Sequence, residues 1–133
     1  MARNRKINRY AFRPARPAQH GFHLMAKPAG PACNLRCRYC FYSEKKRFFR
    51  ESNTWRMPDE VLEAYTQDYI ASQPGPSVVF EWQGGEPGLV GVDFFKHALD
   101  LQKKYSRGKQ MFLVDSRVAW GNVQVGYFVI GER

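Results

Sequence analysis

The sequence predicts an α/β fold in which parallel strands alternate with helices. Two segments have strand composition, each leads into a loop rich in glycine or proline, and each loop is followed by a segment with helical spacing of apolar residues. This alternation is typical of βα units, whose strands pair in parallel. A hydrophobic share of 44% and a charged share of 25% indicate a globular domain.

The first predicted unit begins with a short strand over residues 21–27, in which Phe22, Leu24 and Met25 are apolar. A loop opened by Pro28 and Pro31 follows. A helix is predicted from Met57, because Asp59 and the residue after it favour the positive start of a helix. Its apolar face comprises Val61, Leu62, Tyr65, Tyr69 and Ile70.

The second predicted unit begins with a strand over residues 77–83, which are rich in β-branched and aromatic side chains. A turn over residues 84–88 follows, which we call the glycine turn. The next helix is predicted from Asp93 to Tyr105, with an apolar stripe of Phe94, Ala98, Leu101 and Tyr105. One or two short strands are plausible between Met111 and Arg133.

The charge is concentrated near the N-terminus. The formal net charge is +9, and no carboxylate precedes Glu44. Such a patch can bind nucleic acid or an anionic surface. We favour a solvated, mobile arm over residues 1–19, because Pro14 and Pro17 interrupt any helix there. With neither a long apolar run nor a secretory pattern, we expect a cytoplasmic protein without a membrane segment.

The three cysteines are the most informative feature. Cys33, Cys37 and Cys40 lie within eight positions with the spacing CxxxCxxC. An odd, tightly spaced set is a poor disulfide framework, whereas three thiolates can hold an iron–sulfur cluster and leave one iron open. One alternative is a Cys₃His zinc site that recruits His20 or His23. Another is that the cysteines are simply small buried residues.

The glycine turn contains the sequence Gly84-Gly85-Glu86-Pro87. Adjacent glycines let the backbone approach a ligand closely, although an ordinary βα turn has the same composition. In α/β folds ligands bind beyond the carboxyl ends of parallel strands. The cysteine loop (residues 33–40) and the glycine turn each follow a predicted strand, so we expect both on the same edge of the sheet.

Several segments of the sequence together resemble a known family. CNLRCRYC is similar to the cysteine signature of radical S-adenosylmethionine (SAM) enzymes. Together with FHLMAKPAGPACNLRCRYCFY, MPDEVLEAY, FEWQGGEPGLVGVDFF and LQKKY, it resembles the start of the anaerobic sulfatase-maturating enzymes. The resemblance runs from about Phe22 to Lys109. It implies a fold made of the first two βα units of a partial (β/α)₆ radical SAM barrel.

The resemblance also implies cofactors and a reaction. Cys33, Cys37 and Cys40 would bind a [4Fe–4S] cluster, whose open iron would chelate S-adenosylmethionine. An electron from a reducing donor would cleave SAM, and the resulting radical would act on a Cys or Ser of a sulfatase polypeptide to give formylglycine. The family pattern assigns adenine contact to Tyr39 and the substrate cavity to Gln83. The methionine end of SAM would be held by the glycine turn, through Gly84, Gly85 and Glu86.

The chain also departs from the family pattern. After Gln110 no QTNG-like motif follows, and Gly88 replaces the common Thr. The family's proton acceptor has no counterpart, so no catalytic residue is identified. We therefore expect a truncated chain, too short for full activity, with an arm (1–19), a partial radical SAM core (20–110) and an atypical tail (111–133). The alternative function is a small basic zinc-knuckle nucleic-acid-binding protein, with nucleic acid the less favoured partner.

Overall fold

A computed structural model describes residues 17–40, 48, 55–115 and 128–130, and only the backbone of residues 114, 115 and 128–130. The predicted arm up to residue 16 and most of the predicted tail lie outside the described residues. The elements, in chain order, are β1 (Leu24–Ala26), α1 (Asp59–Ser72), β2 (Ser77–Trp82), a 3-10 helix (Pro87–Val90), α2 (Val92–Tyr105), β3 (Gln110–Asp115) and β4 (Phe128–Ile130).

The four strands form one sheet in the order β1-β2-β3-β4. The first three strands are parallel, with Leu24 opposite Phe80 and Val78 opposite Met111. β4 runs antiparallel to β3. The predicted α/β fold is confirmed, since three parallel strands alternate with two helices, and the structure adds a third parallel strand to the two predicted units.

Both helices pack on the same face of the sheet. Residues of β2 alternate between buried and half-buried, and Phe80 and Trp82 are almost fully buried beneath the helices. The ring of Tyr65 on α1 meets both at centroid distances of 5.7 and 6.0 Å, and Phe94 on α2 lies 5.8 Å from Trp82. Each such side chain contributes roughly 1.5–3 kcal/mol by burial. The opposite face presents the half-buried Val79 and Glu81 of β2.

β1 is shorter than predicted because the side chains of Tyr69 on α1 and of Gln73, the residue that follows α1, hydrogen-bond the backbone groups at its start. The carbonyl of Phe22 accepts hydrogen bonds from Gln73 Nε2 at 2.6 Å and from Tyr69 Oη at 3.2 Å. The amide of Leu24 donates to Tyr69 Oη at 3.3 Å. These contacts satisfy polar groups that a longer strand would otherwise have paired.

The ends of α1 are set by an extended proline before its first turn and by a lysine that caps its last carbonyl groups. Pro58 has extended backbone, so the helix begins at Asp59 rather than at the predicted Met57. At the other end, the ammonium group of Lys109 donates to the carbonyl oxygens of Ile70 at 2.8 Å and Gln73 at 2.5 Å. A cation at this position satisfies carbonyls that have no partner within the helix. Across the described residues, no helix has the length and apolar character needed to cross a membrane.

Candidate functional site

The cysteine loop and the glycine turn meet at the carboxyl ends of β1 and β2. Ala26 and Trp82, the last residues of the two strands, lie opposite each other in the parallel register. The next amide, that of Gln83, donates to the carbonyl of Ala26 at 2.8 Å. Because the strands end level, the segments that follow them leave from the same edge, as the sequence predicted.

Between β1 and the cysteines lies a buried segment over residues 27–32, which we call the anchor segment. Pro28, Ala29 and Pro31 are buried. The amide of Met57 donates to the carbonyl of Pro28 at 2.8 Å, which ties the anchor segment to the start of α1. Buried backbone groups with partners on neighbouring segments have few alternative positions. The cysteine loop therefore begins from a fixed point.

The glycine turn binds the other side of the anchor segment. The amide of Gly85 donates to the carbonyl of Gly30 at 3.0 Å, and the amide of Glu86 donates to the carbonyl of Ala32 at 2.8 Å. Gly84 has a φ of +128°, a backbone conformation that favours glycine. A Cβ built on Gly84 would lie 2.6 Å from the Gly30 carbonyl oxygen. The two glycines thus serve close packing between two backbones.

The cysteine loop is more exposed than its anchor. Cys33, Cys37 and Cys40 are all half-buried, and none forms a disulfide. A turn brings the last two together, with the amide of Cys40 donating to the carbonyl of Cys37 at 3.1 Å. The sulfur of Cys33 accepts a hydrogen bond from the amide of Leu35 at 3.4 Å. Hydrogen bonds to sulfur are among the features that tune iron–sulfur sites.

The types and positions of the candidate ligands bear on which metal group the cysteine loop fits. Within the described residues, no three His, Cys, Asp or Glu side chains converge tightly enough to hold a single metal ion. His20 and His23, the candidate fourth ligands of a Cys₃His zinc site, are both exposed. A cuboidal cluster holds its thiolates farther apart than one ion does. Three accessible thiols on one short loop have the chemistry of such a cluster's ligands.

The remaining predicted cofactor-binding residues surround this junction. Tyr39 is 61% exposed, so the face of its ring is accessible. Gln83 is half-buried at the end of β2. One carboxylate oxygen of Glu86 accepts a hydrogen bond from the amide of Gly88 at 3.0 Å and closes the start of the 3-10 helix. Its carboxylate thus has a structural partner in addition to any ligand.

Sequence reasoning missed the role of Trp55. A Cβ on Gly30, whose φ is +54°, would lie 3.2 Å from the indole ring of Trp55, so the ring covers the anchor segment. The segment between the cysteines and α1 is polar and basic, and no periodicity marked this tryptophan as part of the site. A large aromatic residue in such a segment is the one signal that pointed to packing.

Comparison with known proteins locates this arrangement among characterised sequences. No protein-family model matches the chain. It is 44% identical over 93 residues to a serine-type anaerobic sulfatase-maturating enzyme of Bacteroides thetaiotaomicron, a match that covers 70% of this chain and 22% of that protein. The match to the serine-type enzyme of Klebsiella pneumoniae is 47% over 87 residues, covering 64% of this chain and 21% of the relative. The cysteine-type enzyme of Clostridium perfringens is 39% identical over 83 residues, covering 62% and 22% respectively.

Solved structures give the same result. The structure of native anSMEcpe with bound AdoMet and the Cp18Cys peptide superposes with a TM-score of 0.57 at 36% identity, covering 68% of this chain and 23% of that one. The same enzyme with AdoMet and the Kp18Cys peptide gives a TM-score of 0.58 at 35% identity, with 68% and 23% covered. The chain spans less than a quarter of the length of these relatives. Over the matched region it is homologous to the anaerobic sulfatase-maturating radical SAM enzymes.

Proposed function

We propose that this chain binds a [4Fe–4S] cluster through Cys33, Cys37 and Cys40, and S-adenosylmethionine at the iron that the three thiolates leave open. The observation that carries the proposal is the hydrogen-bonded junction between the cysteine loop and the glycine turn at the ends of adjacent strands. Homologous structures hold AdoMet, which supports the assignment of the cofactor. When bound, the cluster supplies the electron that cleaves SAM.

The chain's own residues would hold the two groups in place. The anchor segment fixes where the loop starts, and the hydrogen-bonded turn between Cys37 and Cys40 holds the backbones of these two residues close together. The exposed guanidinium groups of Arg36 and Arg38 add positive charge beside the cysteine thiols, which become anionic thiolates when they bind the cluster. Tyr39 offers an accessible ring for stacking against adenine.

The glycine turn and Gln83 would border the methionine end of SAM and the substrate, respectively. Gly84, Gly85 and Glu86 lie directly against the residues that precede Cys33, so a ligand on the open iron would lie near them. Gln83 leads into this turn from β2. We further propose a sulfatase polypeptide as the substrate of the reaction in which this region takes part, with a Cys or Ser converted to formylglycine and electrons supplied by a reducing donor.

Domain roles follow from this proposal. Residues 20–110 would form the cofactor-binding core, residues 1–19 a basic arm, and residues 111–133 a tail that differs from the family. The peptides bound in the two solved structures of anSMEcpe support a polypeptide substrate. The chain spans 22% of the length of the Bacteroides enzyme, so cofactor binding, rather than complete turnover, is the activity to measure first.

Anaerobic reconstitution with iron and sulfide tests the proposal. We expect a brown protein with visible iron–sulfur absorption, and SAM binding that perturbs the electron paramagnetic resonance spectrum of the reduced cluster. Cys37→Ala should lose both the cluster and that response, whereas Asn34→Ala, an exposed change in the same loop, should keep them. A chain that takes up no cluster refutes the proposal. Retention of zinc together with RNA binding of steep salt dependence would indicate the zinc-knuckle alternative instead.

A further inference from the structure

The backbone of Gly85 lies against the residue that immediately precedes Cys33. A Cβ built on Gly85 would overlap the carbonyl oxygen of Ala32 and would lie 2.5 Å from its carbonyl carbon and 2.9 Å from that of Pro31. All three atoms belong to the main chain, so no side-chain rotation relieves the overlap. Any residue other than glycine at this position therefore displaces the anchor segment.

Backbone strain does not explain this glycine. Among the described glycines, those with positive φ are Gly30, Gly84, Gly91 and Gly108. Gly85 is not one of them, so it does not occupy the left-handed region in which a side chain is strained. The cost of a side chain at Gly85 arises from contact with the backbone of Pro31 and Ala32.

Displacing Ala32 changes the direction of the first thiol. The peptide group that joins Ala32 to Cys33 is planar, and the amide of Glu86 holds its carbonyl oxygen at 2.8 Å. Rotating or shifting this plane moves the Cα–Cβ bond of Cys33 with it. Cys37 and Cys40 lie beyond several exposed residues, and the turn that they form with each other does not involve the glycine turn.

We propose that Gly85 is a positioning residue that sets the orientation of the Cys33 thiol through the carbonyl group of Ala32. The proposal rests on the proposed function only where it concerns the cluster. The juxtaposition itself exists in the chain without any cofactor. This role of Gly85 is separate from direct contact with SAM, because the protein's own backbone leaves no room for a Cβ at this position.

The test compares Gly85→Ala with Gly75→Ala, a glycine whose Cβ would meet nothing within 4 Å. In the apo chain, alkylation of each cysteine by iodoacetamide is followed by mass spectrometry. We expect the rate at Cys33 to rise several-fold in Gly85→Ala, with Cys37 and Cys40 unchanged as internal references. In the reconstituted protein, we expect cluster affinity to fall by about 10-fold, as for loss of a group that orients a metal ligand.

Hydrogen exchange in the wild-type chain gives an independent measurement. The amide of Glu86 should be protected, because it donates to Ala32, whereas exposed amides of the cysteine loop should exchange rapidly. An unprotected Glu86 amide, or equal alkylation of Cys33 in wild type and Gly85→Ala, would overturn the proposal. So would loss of the circular dichroism spectrum in Gly85→Ala while Gly75→Ala stays folded, since Gly85 would then support the whole fold. If the wild type binds no cluster, the proposed function fails, and the apo measurements still decide this proposal.

Discussion

Two tyrosines on one face of α1 provide a matched test of what holds β1 to the helix. The hydroxyl of Tyr69 accepts a hydrogen bond from the amide of Leu24 at 3.3 Å and lies within donating distance of the carbonyls of Val79 (3.0 Å) and Phe22 (3.2 Å). The hydroxyl of Tyr65 is buried without a hydrogen-bond partner among the described residues. The two rings stack on each other at a centroid distance of 5.7 Å, and each Tyr-to-Phe change keeps the ring in this stack.

The expected magnitudes follow from these partners. A hydroxyl has one hydrogen to donate, so Tyr69→Phe removes one donated and one accepted hydrogen bond and leaves backbone groups unpaired. At about 0.5–1.5 kcal/mol for each bond, the loss is about 1–3 kcal/mol in the free energy of unfolding. Tyr65→Phe removes a buried polar atom that gains nothing in return. It should leave the free energy of unfolding unchanged or raise it by up to about 1 kcal/mol.

Urea unfolding of the full chain, followed by tryptophan fluorescence to which the buried Trp82 contributes, measures both changes. Burial raises the pKa of both tyrosines, so both hydroxyls stay protonated at neutral pH. The dependence on urea concentration should be the same in wild type and both variants, since the exposed surface does not change. A Tyr65→Phe variant destabilised as much as Tyr69→Phe would refute the reasoning, because ring burial alone would then account for both residues.

Two further predictions concern polar contacts of the helices. Lys109→Met should lower the free energy of unfolding by about 1–2 kcal/mol in urea titrations, because the carbonyls of Ile70 and Gln73 at the end of α1 lose the ammonium group that caps them. The exposed Lys103→Met should cost less, and equal losses would argue against a capping role. The hydrogen bond from Lys104 lowers the pKa of Glu63 below 4.5. The Glu63 carboxylate therefore stabilises the fold above pH 4.5, and this stabilisation is lost as the pH falls through the lowered pKa. Glu63→Gln should be less stable than wild type at neutral pH and equal to it well below 4.5, and a pH-independent difference would contradict this.

Periodicity predicted the elements that form the core. The spacing of Phe94, Ala98 and Leu101 placed one face of α2 against the sheet, and all three side chains are buried. The alternation of strands and helices also predicted that both loops share one sheet edge, because parallel connections leave strands at the same end. These features depend on patterns that are local in sequence.

Contacts between distant backbones could not be predicted in this way. The glycine turn suggested an approach to a ligand, whereas Gly85 packs against Ala32, more than fifty positions earlier in the chain. The partners of Tyr69 and Lys109 are backbone groups on other elements, which carry no sequence signature of their own. The parallel pairing of β3 was also not predicted, since its sequence does not follow the family pattern on which the expected core was based.

The antiparallel strand β4 limits where a further strand can pair with the sheet. It pairs with Met111, Phe112 and Leu113, so the outer hydrogen-bonding groups of β3 are already occupied over that stretch. Another parallel strand could be added there only if β4 came away first. Of the described strands, β1 and β4 lie at the two edges of the sheet, and Leu24 and Met25 of β1 are 39% and 45% exposed. At β1 an open edge coincides with exposed apolar side chains, which is the combination that favours addition of another strand.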